Sequence, residues 1–411
     1  MLQGPIGPFF AEMYKALSRQ GFSVTRFTFN AGDRLFAKHE DCTCFAGDLA
    51  EWEEVFRTEV TQSWPEAVIL FGANRPIHKV ARRIAKEYGV SVICLEEGYL
   101  RSGYVTCELG GNNQHSPLTK WSYCAESRAR MNTPTQPKQP APVSSSFRIQ
   151  CCWGALYYLI RDVFSGPEEE NLFHRAKERP LPLAWSWAKH MCRRSLAHIA
   201  DAQAIQRLYR NPGYVLVPLQ VSHDSQIKTA ARGWNTRKLI RSCLEAHAYE
   251  PDKQQVVFKL HPLERAGPRL KRQILQLAKQ LGLPPGSVQV VAAGQMGKLA
   301  SKASGMIVIN STSAFSALHH GIPVLVMGDA IFRHASIVTT GETPADIKAF
   351  FKMRYAKRQD QINAFIADLK MQSLIPGDFY VANGREIAIA EILKELNKQT
   401  INTDAGHIAL V

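Results

Sequence analysis

Short, continuous apolar runs alternating with amphipathic stretches constrain this chain more than any other feature of its sequence. Residues 67–71 (AVILF), 305–309 (GMIVI) and 322–327 (IPVLVM) are apolar throughout, and 90–95 (VSVICL) and 287–291 (SVQVV) are mostly so. A strand that buries both faces reads this way, and such strands belong to parallel sheets covered by helices. Helix-compatible stretches lie between them, at 11–19, 78–89, 236–247 and 269–281. Residues 22–29 (FSVTRFTF), 214–220 (YVLVPLQ) and 255–260 (QVVFKL) complete the strand set. The pattern predicts an α/β chain with two Rossmann-like blocks facing a cleft, a GT-B-like layout with an interdomain helical region and C-terminal helices.

The blocks are separated by composition. Residues 133–146 (TPTQPKQPAPVSSS) hold four prolines among hydroxyl residues and read as a linker. From 172 to 210 there are eight Lys or Arg against Glu178 and Asp201, with Trp185 and Trp187 among them. The expected division is an N-terminal Rossmann-like domain at 1–130, the linker and basic helical region at 131–210, a C-terminal Rossmann-like domain at 211–343, and a helical segment at 344–411.

Charge and composition exclude several classes. Apolar residues at 45% and charged residues at 21% suit a folded globular chain and rule out global disorder. No apolar run approaches the roughly 20 residues that span a bilayer, and the opening MLQGPIGPFF lacks the flank of a secretory signal. Nine cysteines without CxxC pairs fit free thiols in a reducing compartment, so a cytoplasmic location is expected. The net charge of +14 favours anionic partners. No nucleic-acid-binding module is visible, which leaves phosphorylated small molecules or an acidic membrane surface.

Polar residues that follow the strands are the candidate site, because ligands of open α/β sheets bind outside the carboxyl ends of the strands. Gln3, Gly4 and Gly7 allow close backbone approach to an oxyanion or hydroxyl, or form a plain turn. Glu96 and Glu97 follow a buried strand with Arg101 behind them, and either carboxylate suits a general base or a helix cap. Gln220, Asp224 and Gln226 follow 214–218, where an aspartate serves as nucleophile or as cap. His261 closes its strand with Lys259 before it, a pair suited to a phosphate. Asn310, Ser311 and Thr312 precede a helix and can hold phosphate with amides and hydroxyls together. The basic region around Trp185 and Trp187 reads either as a membrane-surface patch or as a solvated face with its aromatics in the core.

Taken together, LQGPIGPFF, EEGYLRSGYVTCELGG, PLQVSHDSQI, FKLHPLE and NSTSAFSALHHGIPVLV resemble the capsule polysaccharide biosynthesis and export family, in its KpsS and LipB branch. The resemblance covers about residues 1–115 and 210–335. It implies a GT-B β-Kdo transferase that takes Kdo from CMP-Kdo with retention and places it on a (lyso)phosphatidylglycerol acceptor at the inner-membrane surface. By that resemblance Asp224 matches the catalytic aspartate, with His223 as a neighbour that tunes it. His261 matches the HP motif at the CMP phosphate, and Ser311 and Thr312 the phosphate loop. Glu96 and Glu97 match an acidic pair of CMP-sugar transferases. Neither a cofactor nor a metal is expected, and capsule assembly and ABC-transporter proteins are implied partners. Two alternatives stay open: a GT-B transferase with another nucleotide-activated donor, and a non-catalytic capsule export scaffold.

Overall fold

A computed structural model of the chain describes residues 1–37, 42–100, 103–120, 138–143, 147–173, 176–221, 229–249 and 254–407, with 180, 181, 184 and 397–407 described by backbone alone. The chain forms two compact units. Described residues of the first fall within Met1–Leu118, Pro134–Pro180 and Ala367–Val411, and those of the second within Thr119–Thr133 and Leu181–Ile366.

In the first unit, β1 (Arg26–Thr28) and β2 (Cys42–Cys44) pair in parallel, and β3 (Ala67–Phe71) pairs in parallel with β4 (Ser91–Glu97). Residues 1–3 join these pairs: Phe27 N donates to Met1 O, Leu2 N to Ile69 O, and Phe71 N to Gln3 O. The opening segment therefore lies between β1 and β3. Alternation along β3 sends Val68 and Leu70 to a core around Trp52, and Ile69 to a second core on the opposite face with Phe9 and Phe379. Trp52 is fully buried against Phe27, Phe29 and Phe45, and its indole donates to Ile77 O at 3.0 Å.

Two expectations for this block change. The strand expected over 22–29 forms only at β1. Glu96 and Glu97 do not follow a parallel strand but end β4 inside it, paired antiparallel with β5 (Tyr104–Leu109). The return of the chain through Gly98, whose added Cβ would meet Tyr104 O at 2.3 Å, turns β5 back along β4 and makes this sheet mixed.

The second unit carries six parallel strands: β6 (Tyr214–Pro218), β7 (Val256–Lys259), β8 (Val288–Val291), β9 (Ala303–Val308), β10 (Val324–Val326) and β11 (Thr339–Thr340), in the order β11-β10-β9-β6-β7-β8. Counted from β6 this is the 3-2-1-4-5-6 order of the dinucleotide-binding fold. Every residue of β6 is buried, as its unbroken apolar run requires. The helices Thr236–Ala248, Gly267–Gln280 and Pro344–Lys352 contribute Leu239, Ile274 and Phe350 to its core.

The C-terminal segment is not purely helical. β12 (Leu374–Pro376) pairs antiparallel with β5 and returns the chain to the first unit. Glu108 receives Tyr99 OH at 2.7 Å and Ser373 Oγ at 2.6 Å, so a buried carboxylate clamps that return. Arg385 adds a bidentate bond to Glu12, 2.8 Å to each oxygen.

His78 gives this unit an acid limit. It is fully buried with Nδ1 2.7 Å from Gly72 O, and burial, helped by the charges of Arg75 and Arg82, lowers its pKa to about 3. An unfolded histidine protonates near pH 6.5, so between pH 6.5 and 3 only the unfolded chain takes this proton, and stability falls as pH falls. The expected loss from this group is about 3 kcal/mol between pH 6.5 and 4. Urea unfolding across that range should show His78→Gln losing stability less steeply than wild type. Equal slopes would exclude His78 as the titrating group.

Candidate active site

Of the polar residues singled out in the sequence, Gln3, Glu96, Gln220, His261 and Asn310 stand at the carboxyl ends of strands within their own units. In the second unit the strand order reverses between β6 and β9. The helices that follow those two strands leave toward opposite faces, which opens a crevice at the carboxyl ends. Gln220 stands just beyond β6 and Asn310 just beyond β9, and Gln220 Nε2 donates to Asn310 Oδ1 at 2.9 Å. Asn310 Nδ2 in turn donates to Ala230 O at 3.3 Å. Ser311 follows, its hydroxyl 2.8 Å from that of Ser313, and Thr312 lies half-exposed beside it. The helix beyond, Ala314–His319, has only six residues, and Ser313 at its start makes no side-chain cap. Its dipole is correspondingly short, so side chains and loop amides carry more of any anion binding here than the sequence suggests.

His261 lies beyond β7, half-exposed, with Nδ1 accepting from Leu263 N at 3.1 Å. That bond assigns Nδ1 as an acceptor, so a neutral ring carries its proton on Nε2, where it can donate to an oxyanion. Lys259 is placed differently from its partner. It is buried, and its ammonium donates to Ala292 O at 2.6 Å and Leu260 O at 3.2 Å. Burial lowers its pKa to about 8 and Arg194 adds to that, while Asp201 acts in the opposite direction. Asp201 is itself buried and accepts from the amides of Ala292 and Ala293 at 2.6 and 3.0 Å. Lys259 therefore braces the ends of β7 and β8 from within. Asp201, which the sequence reading passed over as one acid in a basic stretch, occupies the amides after β8.

The first unit has the same plan. With residues 1–3 as its first strand, the order reverses between that segment and β3, and Gln3 stands at the reversal. Gln3 Oε1 accepts from Arg75 Nη1 at 2.8 Å, a bridge between first and fourth strands like that of Gln220 and Asn310. Gln3, Gly4 and Gly7 line a small pocket together with Asp33, Phe36 and Tyr157. Asp33 is buried and accepts from Gln3 Nε2, Asn30 Nδ2, Phe29 N and Tyr157 OH at 2.9–3.1 Å. Burial raises its pKa, against those donors. The helix Ala31–Leu35 that carries Asp33 meets the helix Phe147–Phe164 at Gly32, where an added Cβ would stand 2.8 Å from the Tyr157 ring.

Glu96 and Glu97 diverge, as neighbours on a strand must. Glu97 Oε1 accepts from Tyr380 OH at 2.5 Å and Gln150 Nε2 at 3.1 Å. Glu96 Oε2 borders Gly72 instead, 3.4 Å from where a Cβ there would stand, with Arg75 Nε 3.9 Å from the same point. Gly72 has φ +79°, a left-handed turn that leaves this gap open. Asp224, Gln226, Arg101 and His223 lie outside the described residues. Sequence reasoning missed Asn30, Asp33, Arg75, Gln150, Tyr157 and Tyr380. Of these only Arg75 carried a local signal, since it opens a helix directly after a buried strand.

The two tryptophans separate. On the helix Pro180–Ala200, Trp187 packs against His190 with Arg265 over its ring at 5.6 Å, whereas Trp185 is 64% exposed with Lys189 Nζ 4.9 Å from its ring centre. Among the described residues no helix is long and apolar enough to cross a membrane.

The capsule polysaccharide export protein KpsS of Escherichia coli is 30% identical over 89% of this chain and 95% of its own length. The capsule polysaccharide modification protein LipB of Neisseria meningitidis serogroup B is 30% identical over 88% of this chain and 90% of its own. Among solved structures, the β-Kdo 2,7 transferase KpsC of Thermosulfurimonas dismutans aligns over 90% of this chain and 98% of its own, at 15% identity and a TM-score of 0.39. Residues 66–380 match the family described as capsule polysaccharide biosynthesis protein, and this chain belongs to that family.

Proposed function

We propose that this protein is a retaining β-Kdo glycosyltransferase that starts a capsule glycolipid, moving Kdo from CMP-Kdo to a phosphatidylglycerol-type acceptor. The observation that carries this is the set of polar residues at the strand reversal of the second unit, where Gln220, Asn310 and His261 stand beyond the ends of β6, β9 and β7 in a chain of this family. CMP-Kdo offers a phosphate and a carboxylate. The Nε2 proton of His261 and the hydroxyls of Ser311 and Thr312 are donors of the kind that stabilise charge developing on a departing CMP.

Retention requires two displacements. Asp224 attacks the anomeric carbon as CMP leaves, forming a glycosyl-enzyme, and the acceptor oxygen then displaces Asp224 as its proton passes to a base. Glu96 is assigned as that base. Glu97 is held by Tyr380 and Gln150 through one oxygen, whereas Glu96 lies at the gap over Gly72. In this reading Glu97 fixes the end of β4 and Glu96 faces the acceptor.

A lipid acceptor requires contact with the membrane surface. On the helix Pro180–Ala200, Trp185, Leu196 and Ile199 are 64%, 61% and 76% exposed, with Lys189 and Arg193 exposed beside them. Such a face suits peripheral attachment to an anionic leaflet, at the cytoplasmic side where the donor is made.

Purified protein supplied with CMP-Kdo and a fluorescent phosphatidylglycerol analogue should give a product heavier by one Kdo. Asp224→Ala and His261→Ala should lose it, and Glu96→Gln should fall at least about a hundredfold, well below Glu97→Gln. No product with any CMP-sugar from folded protein would favour the export-scaffold alternative, and product with another donor alone would replace Kdo. In vesicle co-sedimentation, Trp185→Ser with Leu196→Ser should release the protein from vesicles rich in phosphatidylglycerol. Unchanged sedimentation would remove this helix from the membrane contact.

A further inference from the structure

The first unit holds an arginine whose surroundings fit an anionic ligand better than a structural role. Arg75 sits at the strand reversal, half-buried, its guanidinium 5.4 Å from the Phe71 ring centre. Nη1 donates to Gln3 Oε1 at 2.8 Å and to Gly4 O at 3.3 Å. Among the described residues no carboxylate lies within ion-pair distance of it, and Nε and Nη2 donate to none of them. Asp33 acts on Arg75 only through space, and the arginine's unused N–H groups form the fork that grips carboxylates and phosphates.

Its aim is set from behind. Gln3 Nε2 donates to both oxygens of Asp33, at 3.0 and 3.3 Å, and lies 3.2 Å from Tyr157 OH. Reversing that amide would turn its oxygen against the carboxylate, so Oε1 is forced toward Arg75. Asp33 is held in turn by Phe29 N, Asn30 Nδ2 and Tyr157 OH. A buried carboxylate is thus spent on orienting one amide, and that amide on orienting one arginine.

We infer that Arg75, aimed by Gln3 from the buried Asp33 cluster, grips the phosphodiester of the acceptor in the first unit. This rests on the transferase reading above. Glu96 and Arg75 border the same gap over Gly72, so a phosphodiester on Arg75 brings the hydroxyl of its own glycerol toward Glu96. Arg75 is then the residue that selects an anionic lipid over a neutral one, with Gln3 and Asp33 as positioning residues.

The test compares two acceptors carrying the same fluorescent tail, a phosphatidylglycerol analogue and an uncharged glycerol ether, with CMP-Kdo as donor. Wild type should prefer the phosphate acceptor. Arg75→Ala should raise its KM about tenfold or more with the KM for CMP-Kdo unchanged, and the preference for phosphate should collapse. Arg75→Lys should recover part of the preference, and Gln3→Ala and Asp33→Asn should shift acceptor KM in the same direction as Arg75→Ala. A thermal midpoint for each variant separates misfolding from loss of grip. Acceptor KM unchanged in Arg75→Ala, or a change in donor KM instead, overturns the inference. Calorimetric binding of dihexanoyl-phosphatidylglycerol reads the site without transfer. Binding lost in Arg75→Ala while wild type transfers to neither acceptor would sink the transferase reading and keep the anion site. Equal binding by both proteins would sink the anion site.

Discussion

Each unit depends on how its first strand is flanked. The strand that follows it in sequence lies on one side and the strand that comes third after it lies on the other, so the helices leaving this pair pass to opposite faces. Backbone at the carboxyl end of the pair is then covered by neither helix, and the polar groups there must satisfy one another or a ligand. Both units answer with a glutamine at the carboxyl end of the first strand. Gln220 reaches Asn310 across the reversal in the second unit, and Gln3 reaches Arg75 in the first. The reversals fix where loops rich in polar residues collect, and the candidate chemistry follows from that placement.

Completion of the first unit waits for the end of the chain. β12 adds itself beside β5, Ser373 closes on Glu108, and Tyr380 reaches Glu97. A carboxylate at the end of β4 is thereby positioned by a residue nearly three hundred positions away. The family match ends at Tyr380 itself. The long helix beyond it, Ala382–His407, packs its early turns on the helix Phe9–Arg19 through Arg385 and Glu12. Helical periodicity over 344–397 hides this arrangement, because three strand residues between two helices leave no pattern of their own.

Most strands of the second unit were legible because β6, β7 and β10 are buried along their whole length and largely apolar, with β8 and β9 nearly so, whereas the polar and partly exposed β11 left no such run. Those of the first unit were less so: residues 1–3 take a strand's place through only a few hydrogen bonds, and β1 keeps three of the eight residues expected. Polar residues that follow strands were legible as a class, and Gln3, Glu96, Gln220, His261 and Asn310 all stand at carboxyl edges. What each does there was not legible, because the partners that decide it are remote. Asp33 and Tyr157 are 124 positions apart, and Glu97 and Tyr380 are 283 apart. Spacing carries no information over such distances.

Lys259 and Arg75 show how the same charge at the same kind of strand end comes to different uses. Lys259 ends β7 with its ammonium turned inward, where two carbonyls and the nearby Asp201 take up its protons and its charge. The lysine is flexible and carries a single point charge, so neighbouring carbonyls can absorb it, at the cost of a pKa lowered to about 8. Arg75 has a planar fork that one glutamine oxygen and one carbonyl cannot fill, and Asp33, the buried acid closest in the chain of contacts, is already saturated by four other groups. Geometry rather than charge therefore separates a brace from a grip. A cation whose donors are consumed by its own backbone holds the fold, and one whose donors are oriented but unfilled holds something else.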